Sequence, residues 1–126
     1  FASANGHGTA RALARIYYAL CEDLNQGTGH FLSSALLAKA IEQQWDEVEK
    51  ISNRHFRFGT GFMLNNPYFK IGKNPRSFGH PGLGGPTGFA DPENNLGFGY
   101  CCNLIRATDN TGPCANRLIE ALYQVV

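Results

Sequence analysis

The stretch from Arg76 to Asn103, RSFGHPGLGGPTGFADPENNLGFGYCCN, is what most narrows the folds open to this chain. It carries seven of the 15 glycines, so turns and close backbone approaches must be concentrated there. Two alternating apolar runs lie either side of Asp91-Pro92-Glu93-Asn94-Asn95. Alternation is a strand signal and the five residues between are turn chemistry, so the pair reads as an antiparallel hairpin. Just ahead, Phe78-Gly79-His80-Pro81-Gly82-Leu83-Gly84-Gly85 reads as a short strand running into a glycine-rich bend. A charge-capable side chain, His80, followed by flexible backbone is what a substrate-binding edge strand needs.

The rest of the chain supplies helices to cover such a sheet. Ala10, Leu13, Ala14, Tyr17, Leu20 and Leu24 recur at the spacing of one helical face, with Thr9 as N-cap and Asn25-Gln26-Gly27 as the stop. Ser33 or Ser34 caps a second helix through Leu36, Leu37, Ala40 and Ile41, continuing toward Trp45, with 46–53 a frayed continuation or a surface loop. Phe56, Phe58, Phe62 and Leu64 predict one strand with bulge-prone glycines, and 65–76 a loop. Strands are then expected over 77–83, 87–91 and 96–105. Asp109-Asn110-Thr111-Gly112 breaks the pattern, and Pro113 starts a last helix that buries Ala115, Leu118, Ile119 and Leu122. The order helix, helix, four strands, helix predicts an α+β fold, an antiparallel sheet flanked by helices. Gly97 and Gly99 read as close-packing positions under a helix, and Tyr17, Trp45, Phe56, Phe58, Phe62, Phe89 and Phe98 as core.

At 126 residues with 43% hydrophobic content, one domain is the most the chain can build. A net charge of +1 leaves no electrostatic case for nucleic acid or an anionic membrane as partner. No apolar run approaches the roughly 18 to 20 residues that span a bilayer, and no secretory leader pattern is present. With Met63 its only methionine, the chain is expected to be a piece of something longer. Cys21, Cys101, Cys102 and Cys114 form no framework spacing and read as buried free thiols, with a Cys21 to Cys114 bridge as the alternative. Compartment is left open by all of this.

Strand geometry singles out one backbone group. N–H groups two residues apart on a strand point to the same side, so those of positions 81 and 83 share one. Proline has no N–H and is tolerated on a strand where that side is open. The Leu83 N–H is therefore expected to point out of the sheet, free to bind.

These same residues carry a resemblance. Phe78-Gly79-His80-Pro81-Gly82, then Gly88-Phe89-Ala90-Asp91-Pro92-Glu93-Asn94 and Leu96-Gly97-Phe98-Gly99-Tyr100, resemble the third active-site motif and following hairpin of the serine β-lactamase and penicillin-binding-protein superfamily. The likeness is to the class C β-lactamase-related branch, which includes esterases and D-alanyl-D-alanine carboxypeptidases. It implies that residues 1–126 are the C-terminal segment of one such domain, with a partial β-lactamase/transpeptidase-like fold. It also implies that His80 supports proton transfer or holds substrate, that Gly82 and Gly84 let substrate approach the backbone, and that the Leu83 N–H is an oxyanion-hole donor. Pro81 replaces the commoner hydroxyl residue, which removes a contact to a substrate carboxylate.

The other half of that machinery is absent from these residues. The superfamily's nucleophilic Ser has a Lys three positions on; Ser3, Ser33, Ser34, Ser52 and Ser77 are followed there by Gly6, Leu36, Leu37, His55 and His80. No Tyr is followed two positions later by Asn or Ser. Ser77 and His80, three apart on a strand, face opposite sides and make no local pair. His7, His30, His55 and His80 show no zinc-type spacing, and Gly82-Leu83-Gly84-Gly85 neither opens a helix nor continues into Lys-Ser or Lys-Thr, so no metal or phosphate-bearing cofactor is expected. The chain alone is expected to be inactive. Its expected partners are the remainder of its own domain or a complementary chain, and a small-molecule ester or amide substrate. The alternatives are a non-catalytic scaffold or interaction module of the same fold, and an independent small α+β binding domain.

Overall fold

Thr9 opens the first helix, α1 (Ala10–Gln26), from extended backbone, its hydroxyl accepting from the Ala12 N–H at 3.1 Å. Gly27 closes it in the left-handed region at φ 68, where an L side chain would be strained, and returns its N–H to Asp23 O. The second helix, α2 (Ser34–Ala40), starts from Ser33, whose hydroxyl accepts from the Leu36 N–H.

The computed structural model describes residues 5–68, 70–105 and 112–126, and in it α2 stops well short of Trp45. Thr60 N–H donates to Ala40 O at 2.7 Å, and a Cβ on Gly59 would lie 2.3 Å from the same oxygen. A later turn of the chain thus takes the place of another helical turn. Trp45–Val48, expected as helix or loop, is instead strand β1, paired antiparallel with β2 (His55–Phe58) from Trp45↔Phe58 to Val48↔His55. Three of its four residues are exposed, so no apolar alternation marked it.

The single strand expected over 56–64 is two. Gly59 N–H donates to Phe62 O at 2.9 Å and Gly61 sits at φ 82, so the glycines make a turn between β2 and β3 (Met63–Leu64) rather than a bulge. Then come β4 (Phe78–Pro81), β5 (Thr87–Asp91) and β6 (Leu96–Tyr100), and the six strands pair antiparallel in chain order. The β5–β6 turn is where the sequence puts it, with Asn95 left-handed at φ 49. β6 ends at Tyr100 rather than Ile105, because the chain beyond folds back over Gly84. Asp109, Asn110 and Thr111, read as a break, lie outside the described residues.

Helix α3 (Pro113–Leu122) begins on its proline and buries Ala115 and Ile119; Leu118, expected inside, is 50% exposed, and Leu122 is half-buried. The class is α+β with an antiparallel sheet flanked by helices, as the element order predicted.

Each face of the sheet has its own core. On one, α1 lies so close that a Cβ on Gly97 would fall 2.2 Å from Tyr18 N, and one on Gly99 2.3 Å from Ala10 O. Leu20, Cys21, Leu37, Leu64, Phe78 and Ala90 fill that side. On the other, Met63, Ile71, Phe89 and Ile119 are buried, and the Phe89 and Phe98 rings stack at 5.0 Å. Of the aromatics expected in the core, Phe89 is fully buried and the other six are half-buried. Among the described residues, no helix is long and apolar enough to cross a membrane.

All four thiols are free, so the Cys21 to Cys114 alternative does not hold. Cys21 is buried with its Sγ donating to Leu96 O, and burial pushes that thiol up to about 11. Cys101 and Cys114 are exposed, contrary to the expectation of buried thiols: Cys101 lies just past the end of β6, and Cys114 sits on the solvent side of the first turn of α3.

Candidate active site

The residues around His80 are held from both ends. Phe78, fully buried, meets the Phe62 ring edge-on at 5.0 Å and anchors the start of β4. At the far end, Gly82 N–H donates to Pro86 O at 2.6 Å, closing a tight bend before β5. A Cβ on Gly82 would lie 2.8 Å from Pro86 Cγ, so the glycine is needed by the bend itself.

β4 is not an edge strand of the sheet, since it lies between β3 and β5. Its open side is local. β3 pairs only with Phe78 and Gly79, while β5 pairs with all four residues through Pro81↔Thr87. The Gly82 N–H faces β5, so alternation turns the Pro81 nitrogen to the other side, where β3 has already ended. Among the described residues, no hydrogen bond takes up the Leu83 N–H, and Leu83 is 92% exposed.

His80 is exposed, its ring 6.5 Å from that of Phe58. Its Nδ1 lies 2.6 Å from Pro81 O. A carbonyl can only accept, so Nδ1 carries the proton of this bond. In the neutral ring that leaves Nε2 with a lone pair available to a proton or a donor.

Tyr17, assigned from sequence to the core, stands behind this strand. A Cβ on Gly88, the partner of His80 across the ladder, would lie 2.4 Å from Tyr17 Cε2. Burial raises the Tyr17 hydroxyl above its ordinary value, with the His80 backbone pulling the other way. Helical spacing put Tyr17 on the inward face; nothing in that spacing says that the sheet beneath it is the His80 strand.

Gly84 is buried, with Ile105 Cγ2 2.7 Å from where its Cβ would be. The bend thus brings His80, Gly82 and Leu83 to one exposed surface and turns Gly84 inward. A cavity of about 830 Å³ lies elsewhere, with Arg57, Asn65, Lys70, Lys73, Asn116 and Ile119 among its walls. The His80 surface differs from it in offering an unpaired Leu83 N–H and, three residues away in the chain, an imidazole nitrogen with a free lone pair.

The family model described as Beta-lactamase matches residues 2–119 of the chain. The esterase/beta-lactamase LipL of Mycobacterium tuberculosis is 32% identical over 114 residues, which is 87% of this chain and 26% of that protein. A penicillin-binding protein homolog from Caulobacter crescentus superposes with a TM-score of 0.88 at 33% identity, over 97% of this chain and 33% of its own. A family VIII carboxylesterase superposes with a TM-score of 0.85, also at 33% identity, over 94% of this chain and 32% of its own. The chain therefore spans about a quarter to a third of the length of these relatives.

Proposed function

The chain belongs to the beta-lactamase family, and we propose from that membership that it forms the substrate-binding wall of a serine hydrolase. The reaction is acyl transfer from a small ester or amide to water through an acyl-serine. In this reading the Leu83 N–H is one oxyanion-hole donor, and His80, through Nε2, accepts a proton or holds the substrate. The nucleophilic Ser, its Lys and the motif Tyr come from protein outside these 126 residues, since no Ser here has a Lys three positions on.

The observation that carries the reading is the exposed, unpaired Leu83 N–H three residues from an exposed imidazole. In an acyl transfer the carbonyl oxygen becomes negative, and a preplaced amide aimed at it stabilises the transition state by about 3 to 4 kcal/mol. Pro81, with no side-chain donor, favours neutral esters over substrates that carry a carboxylate at that position. Of the relatives' names, carboxylesterase agrees with that preference, while esterase/beta-lactamase and penicillin-binding protein homolog keep amide substrates within the reading.

A fluorophosphonate probe on the full-length protein tests the assignment. Labelling of one serine outside this segment is expected, with hydrolysis of a p-nitrophenyl ester. Leu83→Pro, which removes the N–H, is expected to lower kcat by about 100- to 1,000-fold while the far-UV circular dichroism is unchanged, and Leu83→Ala, which loses the side chain but keeps the N–H, is expected to stay close to wild type. A folded protein with no labelled serine would overturn the hydrolase reading and leave a non-catalytic scaffold.

A further inference from the structure

Gly84 and Gly85 end the His80 bend at φ 87 and 111, and both are buried. The chain just after β6 covers them. Ile105 packs on Gly84, and Cys102 Sγ donates to Gly84 O at 3.5 Å, a weak bond that fixes the carbonyl one residue beyond Leu83. A cavity of about 150 Å³ separates this layer from the start of α3, and Gly84, Gly85, Tyr100, Cys102, Pro113 and Cys114 are among its walls. That is room for about five water molecules at about 30 Å³ each. Both thiols are free, and Cys114, on the first turn of α3, is open to solvent. Cys101, next to Cys102 in the chain, is not part of the wall.

We propose that Cys102 and Cys114 form a thiol–disulfide modification site whose co-reactant is a low-molecular-weight disulfide of the glutathione type, and that its oxidation loosens the bend carrying Leu83. Cys114, the more accessible, attacks one sulfur of the small disulfide as its thiolate. That S–S bond breaks, one small thiol leaves, and a mixed disulfide stands on Cys114. The Cys102 thiolate then attacks the Cys114 sulfur and displaces the second small thiol. Two protein S–H bonds become one S–S bond, and two electrons and two protons leave on two small thiols. The cost falls on the bend, because the Cys102 sulfur can no longer donate to Gly84 O.

The site is independent of whether any serine in the protein is reactive, so its test can fail while the hydrolase reading stands, and the reverse. The full-length protein is incubated with oxidised glutathione, digested with trypsin without reduction, and mapped by mass. A link joining peptide 77–106 to peptide 107–117 is expected, with fragmentation placing it on Cys102. Amide exchange over 83–85 should quicken on the order of tenfold on oxidation, and stay unchanged under oxidant in Cys114→Ser, which keeps the Cys102 to Gly84 bond. No link, a link through Cys101, glutathione adducts that never close, or a link with unchanged exchange would each overturn the proposal.

Discussion

At the scale of single residues, what matters most is where a side chain is missing. Gly97 and Gly99 let the α1 backbone rest directly on β6, and the sequence alone marked them as positions under a helix. Gly97→Ala would put a methyl 2.2 Å from Tyr18 N and 2.3 Å from Ala14 O, both backbone atoms that cannot swing aside. The expected loss is at least about 3 kcal/mol, the upper end of ordinary overpacking, read as a lower urea midpoint. A variant within about 1 kcal/mol of wild type would mean that α1 stands further off than described. His80 was equally legible as a residue, from its place between Gly79 and Pro81. Its proton arrangement was not, because that depends on the curl of the ring back to Pro81 O.

At the scale of elements, two buried carboxylates tie pieces that are remote in sequence. Asp23 accepts from the Thr28 hydroxyl and from the N–H groups of His30, Phe31 and Leu32, fastening the end of α1 to the loop before α2. Burial by itself would raise this carboxyl, but those donors outweigh it and hold it well below the usual carboxylate range. Its folded value lies below its unfolded one near about 3.9, so its contribution is complete above that pH and is lost as pH falls toward the folded value. Asp23→Asn is therefore expected to lower the thermal midpoint at neutral pH, with the gap from wild type narrowing as the pH drops below about 4. A gap that stayed constant with pH would contradict the assignment. Asp91 accepts from Tyr123 at 2.5 Å, from Asn74 at 2.7 Å and from Asn94 at 3.1 Å, so α3, the 65–76 loop and the hairpin turn meet on one group. Burial, then the Asp91 carboxylate, push the Tyr123 hydroxyl well above its ordinary value. Tyr123→Phe should cost about 1 to 2 kcal/mol in denaturant unfolding, with α3 becoming the first element to lose amide protection. Cost below about 0.5 kcal/mol would show that Asp91 is satisfied without it.

For the molecule as a whole, the sheet leaves β6 paired on one side only, and Leu83, Leu104 and Ile105 stand exposed near the His80 bend. Produced alone, the 126 residues are expected to hydrolyse no p-nitrophenyl ester above the buffer rate and to self-associate on gel filtration. Supplying the rest of the domain should reverse both. A soluble, cooperative monomer would instead support an independent small domain. Sequence by itself determined the helix ends at Thr9 and Gly27, narrowed the α2 cap to Ser33 or Ser34, and determined the hairpin turn at Asp91–Asn95, the packing glycines and the His80-Pro81-Gly82 motif, because each is set by forces acting within a few residues. Tertiary structure decided the rest. Whether Trp45–Val48 is strand or helix depends on β2 lying beside it, and whether β4 is open at Pro81 depends on where β3 stops. That Cys102 and Cys114 share a cavity is likewise a matter of how remote segments pack, which no local pattern encodes.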